Sequence, residues 1–211
     1  MTQTTAAVPY EVSLGFPEKW WSLDLHPSVR DAEVRRRILN GISAQDRVEY
    51  ADQLRDLVRQ ARHFAAEAHR AGALWIQGLF EVYEGELLMG VTTVVRITLP
   101  EGFTPDLSEL MVAYALRNAG LPLGKGTPAH RTELLSLEHA GPVGRATTIE
   151  DIELRPEQTL RMLIMQTLVP LPETNDLLIV ASYTPNLDQS DAFLALFEAI
   201  ADSLKLQKKE E

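Results

Sequence analysis

The segment that most constrains this chain is Leu177 to Leu204, LLIVASYTPNLDQSDAFLALFEAIADSL. Its first residues are apolar on both alternating sides, with Leu177, Ile179, Ala181 and Tyr183 on one and Leu178 and Val180 on the other. That pattern belongs to a strand covered on two faces. Thr184-Pro185-Asn186 then turns the chain. Asp188 is placed to cap a helix, Asp191 adds charge near the positive end of its dipole, and Phe193, Leu196, Phe197, Ile200 and Leu204 return every three or four residues. A strand followed by a helix that packs on a sheet is therefore expected.

Leu160 to Val169 repeats the two-sided pattern, with Leu160, Met162, Ile164 and Leu168 facing one way and Leu163, Met165 and Val169 the other, so it reads as a central strand. Thr132 to Glu138 and Val143 to Ile149 are further strand candidates, and the links among these four are too short for crossover helices, which makes them antiparallel. Upstream, Ala73 to Glu84 (Leu74, Ile76, Phe80 and Val82 on one face) and Leu87 to Leu99 are joined by Glu84-Gly85-Glu86, short enough only for a hairpin. The acidic run Glu150 to Glu153 reads as a solvated turn, and a helix is expected from Asp106 or Ser108 to Asn118.

Near the start, Tyr10, Val12, Leu14 and Phe16 alternate with polar residues as a half-buried strand, and Trp20 to Leu25 forms a second extended piece. Trp20 and Trp21 must point to opposite faces, so one enters a core layer while the other is a packing plug or an exposed anchor for a partner. The fold class that follows is α+β: an antiparallel sheet of about six or seven strands covered by helices on both faces.

Between Pro27 and Ala71 the period changes to that of helices. A first helix runs from Pro27 to Asn40, with Val29, Val34, Ile38 and Leu39 as its buried stripe. A second, from about Asp46 to Arg70, carries Ala51, Leu54, Val58, Ala61, Ala65 and Ala68 as its seam. A helical hairpin is the simple outcome, and a homodimeric coiled coil is the alternative. This insertion holds nine arginines against seven acids, whereas Gly72 to the end holds ten basic residues against twenty acids. Arg55, Arg59 and Arg62 share one face of the second helix, alongside the run Arg35-Arg36-Arg37. Either they form local pairs with Asp52, Asp56 and Glu33, or they make a docking face for an acidic partner.

The net charge of −10 argues against a general nucleic-acid binder, whose affinity comes from neutralising phosphates. No apolar run approaches the roughly 20 residues that cross a bilayer, so no membrane insertion is expected. Met1 to Pro9 has neither the basic start nor the apolar segment of a secretory signal and reads as a disordered leader, which points to a cytoplasmic protein. Residues 10–206 then form a single domain with a helical insertion at 27–71, and 207–211 a charged tail. With zero cysteines, disulfides, thiolate nucleophiles and cysteine-ligated metals are excluded.

Motifs for catalysis are wanting. GLPLGKGT, from Gly120, departs from a phosphate-binding loop because only three residues separate Gly120 from Gly124 and Gly126 stands where a hydroxyl belongs. His63 and His69 are six apart on a helix and so point to different faces, and no serine sits in a G-x-S-x-G elbow. We therefore expect no catalytic, cofactor-binding or metal-binding residue. Arg55, Arg59, Arg62, Trp20 and Trp21 remain as candidate partner-binding residues.

Phe16-Pro17 with Trp20 to Leu25, Gly72-Ala73 opening a long strand, and Leu178 to Pro185 followed by Leu194 to Leu204 together resemble an actinobacterial family of the PsbP/Mog1-like (DUF1795-type) group. The resemblance implies an α/β/α sandwich without an active site. Related folds serve as extrinsic photosystem subunits, as a cofactor of a small GTPase and as chaperones for specialised secretion, and the resemblance associates actinobacterial members of similar shape with type VII secretion genes, so a client of a type VII-like system is one expected partner. The helices between Pro27 and Ala71 are additional to the compact core of that group, so no family binding residue carries over by position. The expected function is a non-enzymatic cytosolic adaptor or chaperone for a protein partner. The alternative is a small-ligand-binding or hydrolytic domain with a pocket near the loop at 120–131, lined by His130 and Arg131.

Overall fold

The computed structural model describes residues 2–7, 10–40, 42–83, 86–100, 106–118, 131–155 and 158–208. Its strands are β1 (Thr2–Ala7), β2 (Tyr10–Gly15), β3 (Trp21–Leu23), β4 (Ala73–Tyr83), β5 (Glu86–Thr98), β6 (Arg131–Leu137), β7 (Gly141–Arg155), β8 (Gln158–Pro170), β9 (Asp176–Thr184) and β10 (Lys205–Lys208). The helices are α1 (Pro27–Asn40), α2 (Ala44–Glu49), α3 (Ala51–Arg70), α4 (Leu107–Asn118) and α5 (Ser190–Asp202). Seven strands form one antiparallel sheet in the order β3-β4-β5-β9-β8-β7-β6, and β1-β2-β10 form a smaller one.

The α+β class, the strand number and the helical cover agree with the sequence. β8 and β9 lie inside the large sheet, where Leu163, Met165, Val169, Leu178 and Val180 face α5 and the side chains of β2. On the opposite face, Leu168, Leu177 and Ile179 lie under α4, while Ile76, Phe80 and Val91 lie under α1 and α3. The two doubly apolar runs are thus dry on both sides because separate helices cover each. Among the described residues, no helix is long and apolar enough to cross a membrane.

Several expectations need correction. Thr2–Ala7, within the segment read as a disordered leader, is a strand whose backbone pairs with β2. Lys205–Lys208, read as the start of a frayed end, pairs with the other edge of β2. β2 itself therefore belongs to the small sheet and not to the main one. Glu150 to Glu153 is not a turn: it continues β7, with Glu150 opposite Met162 and Asp151 opposite Arg161 on β8. A register shift between Ala73 and Trp75 places Leu74 against the α5 layer, away from the face of Ile76 and Phe80.

The long second helix is interrupted at Tyr50, which ends α2 and precedes α3. Ser43 caps α2 by accepting the Asp46 amide, yet α2 buries no residue, whereas α3 buries Leu54, Val58 and Ala65 against α1. Packing on α1 therefore sets the direction of α3 alone, and the preceding turn is free to diverge from it. Val29 also departs from its assigned stripe, being 42% exposed.

Trp20 and Trp21 do take opposite faces. Trp20 is 3% exposed and packs with Phe16 in the α5 layer, so it offers nothing to a partner in this conformation. Trp21 plugs the helical layer, with the Arg37 guanidinium 6.0 Å from its ring centroid. Gly78 makes this possible, since a Cβ there would come within 2.8 Å of the indole.

Candidate functional site

A groove of about 560 Å³ runs between α1 and α3, lined by Arg35, Leu39, Arg47, Ala51, Leu54, Arg55, Val58, Arg59 and Arg62. Its origin is local. On α3, Ala51, Leu54 and Val58 recur at three and four residues and make an apolar strip, while Arg55, Arg59 and Arg62 follow the same steps along its border. On α1, Arg35 and Leu39 are four apart and share a face. Leu54 and Val58 lie deep, at 9% and 8% exposed, so the floor is apolar and arginine side chains form the walls.

Each arginine is held differently. Arg47 of α2 donates to the backbone carbonyls of Leu39 (2.5 Å) and Ile42 (3.0 Å), placing its charge at the C-terminal end of α1, where the helix dipole favours it. Arg62 Nε donates to the Asp31 carbonyl at 2.9 Å and ties α3 to α1. Arg55 pairs with Asp52 and Arg59 with Asp56 one turn back, in contacts open to solvent. Such pairs are worth about 0–1 kcal/mol and exchange readily for another carboxylate. Arg35 makes no ion pair among the described residues, whereas Arg36 and Arg37 both turn to Glu33.

The three arginines singled out from the sequence are therefore brought to one groove. Arg55 and Arg59 have the local carboxylates that the first reading expected, and with Arg62 they line a concave surface. The arginine run is divided, Arg35 toward the groove and Arg36 and Arg37 away from it. Arg47 and the apolar floor were not identified as site residues. Arg47 reaches the groove through the break at Tyr50, for which the sequence carries no glycine or proline signal. Arg35 and Leu39, four apart on α1, were the available clue.

None of the lining side chains is a carboxylate, histidine, serine or threonine, so the groove holds charge and apolar surface and no group that takes up a proton near neutrality. Elsewhere, Tyr183 lies on the helical face of the sheet with the Phe64 ring edge-on at 5.9 Å. Burial raises its phenol above the usual tyrosine range. A hydrogen bond with Thr93 opposes that, the Glu150 charge adds to it, and a hydrogen bond with Gln166 opposes it again. The hydroxyl is thus protonated at neutral pH. Among the described residues, no group of three or more metal-ligating side chains is present. Residues 119–130, His130 included, lie outside the described residues, and Arg131 opens β6 with Glu133 at 2.5 Å and Glu198 of α5 at 4.0 Å.

No protein-family model matches the chain. No curated protein matches its sequence either. Among the solved structures that match, two that align over nearly the whole chain are the following. LpqN of Mycobacterium tuberculosis, described as involved in cell envelope biogenesis, aligns at 8% identity with a TM-score of 0.48, over 98% of this chain and 91% of its own. Cyanobacterial PsbP (CyanoP) from Synechocystis sp. PCC 6803 aligns at 12% identity with a TM-score of 0.43, over 98% of this chain and 92% of its own. At these scores the alignments say nothing about what this chain does.

Proposed function

We propose that this chain is a non-enzymatic cytosolic adaptor or chaperone that holds an acidic segment of a protein partner in the groove between α1 and α3. The observation that carries the reading is the convergence of five arginines around an apolar floor, on a chain whose net charge is −10. A groove of this kind offers bidentate donors to carboxylates and an apolar strip to the side chains between them. Among the described residues that line it there is no nucleophile and no base.

The test is recovery of partner protein from the native host by immobilised chain. A stoichiometric partner is expected with the wild-type chain, and the triple variant Arg55→Glu, Arg59→Glu, Arg62→Glu is expected to lose it. Because Arg62 also bonds to the Asp31 carbonyl, the double variant Arg55→Glu, Arg59→Glu is run beside it, with a thermal melt of each. Equal recovery by folded wild-type and variant chains rules out this groove as the docking surface.

A further inference from the structure

We infer that the segment taken by this groove is an amphipathic α-helix of about three turns, with a narrow apolar ridge bordered by acidic residues. This rests on the docking reading above and specifies its ligand. The first argument is shape. From Ala51 to Arg62 the groove follows α3 for about 16 Å, at the 1.5 Å rise of a helix. Six of the nine lining residues lie on that one helix, so the groove is elongated along α3. A compact ligand would fill a rounder cavity, and an extended element lying along the groove would fill this one with its side chains.

The second argument is period. The floor residues Ala51, Leu54 and Val58 and the bordering Arg55, Arg59 and Arg62 come round once per helical turn. A second helix presents its i, i+3, i+4 and i+7 side chains with the same pitch and can interdigitate with them. A strand presents same-face side chains every 6–7 Å or so and falls out of step within two residues. It would also bring backbone donors and acceptors to walls that offer it only arginine side chains, with no sheet edge to pair against. A helix satisfies its own backbone.

The third argument is charge. Arginines stand on both sides of the apolar strip, Arg35 on α1 and Arg47 on α2 facing Arg55, Arg59 and Arg62 on α3. Acidic residues flanking the ridge on both sides complement them, as flanking charges do beside a coiled-coil seam. A second copy of the chain is a poor source, since its own α3 would bring further arginines to the groove.

Fluorescence anisotropy with labelled 15-residue peptides tests the inference. The panel holds helices with leucines at i, i+4, i+7 and i+11 bordered by glutamates in two registers, the same compositions scrambled, versions with a central proline, and versions with lysine for glutamate. Binding of the glutamate helices is expected. It should weaken at least tenfold on scrambling, on proline insertion and in the Arg55→Glu, Arg59→Glu variant, and the lysine peptides should not bind. Equal binding of scrambled and proline peptides, still arginine-dependent, overturns the helix and leaves acidic docking standing. Failure of every glutamate peptide overturns the inference, and unchanged recovery of the native partner by the folded variants overturns the docking reading as well. Binding of dodecyl phosphate monomers without any peptide binding assigns the groove to anionic amphiphiles instead. A dimer that dissociates in the arginine variant assigns it to a second copy.

Discussion

Gln77 shows how a single side chain can oppose the fold around it. It lies on β4, fully buried at 0% exposed, between Ser22 of β3 and Thr92 of β5. Thr92 is already engaged with Ser182, oxygen to oxygen at 2.8 Å, and neither atom of the Gln77 amide has a protein partner among the described residues. Burying an unpaired amide costs about 1–3 kcal/mol. Gln77→Met keeps the length of the side chain and removes both polar atoms, so chemical denaturation should show the variant more stable by about 1–3 kcal/mol with an unchanged m-value. A variant less stable than wild type would mean that the amide is satisfied. Asp176 is the contrasting case, also buried but receiving both Arg96 (2.5 Å) and Thr98 (2.6 Å).

At the scale of elements, α5 is fastened to the sheet by apolar packing of Phe193, Phe197 and Ile200 and by one buried cation. Arg145 of β7, 5% exposed, donates to Asp202 at the end of α5 and to Thr167 of β8. A carboxylate at a helix C-terminus is disfavoured by the dipole, so Asp202 is there for the arginine. Asp202→Ala should cost about 1–3 kcal/mol in a urea melt, toward the low end for breaking a buried pair because Asp202 itself is half exposed. Adding Arg145→Met should restore most of the loss, since the uncompensated charge is then gone; a strictly additive double variant would show that the two do not interact. Elements of this kind differ in how openly the sequence declares them. β8 and β9 were legible because a doubly apolar run has few other places to go. β1 and β10 were not, because what holds them is the backbone of β2, which side-chain patterning does not register. The break at Tyr50 carries no glycine or proline and follows from which turns of helix find α1 to pack on. For the same reason Arg55, Arg59 and Arg62 could be grouped from their spacing, whereas Arg47 joined them only once the chain had folded.

Across the whole molecule the charge is divided. The arginine-rich helices sit on a body with twice as many acids as bases from Gly72 onward. On the docking proposed above, that division would repel an acidic partner from the body and steer it to the groove, and a one-to-one stoichiometry is the expected result. The same proposal sets how binding should respond to salt. Exposed arginines such as Arg55 and Arg59 are screened beyond about 8 Å at physiological ionic strength, while apolar contacts made at the floor would not be. In stopped-flow measurements between 0.05 and 0.5 M salt, the association rate should fall by about tenfold or more while the dissociation rate changes little. The Arg55→Glu, Arg59→Glu variant should associate slowly at every salt concentration and show a much flatter dependence. An association rate indifferent to salt, with affinity unchanged in the variant, would mean that the arginines are occupied by Asp52 and Asp56 and that the apolar floor alone does the binding.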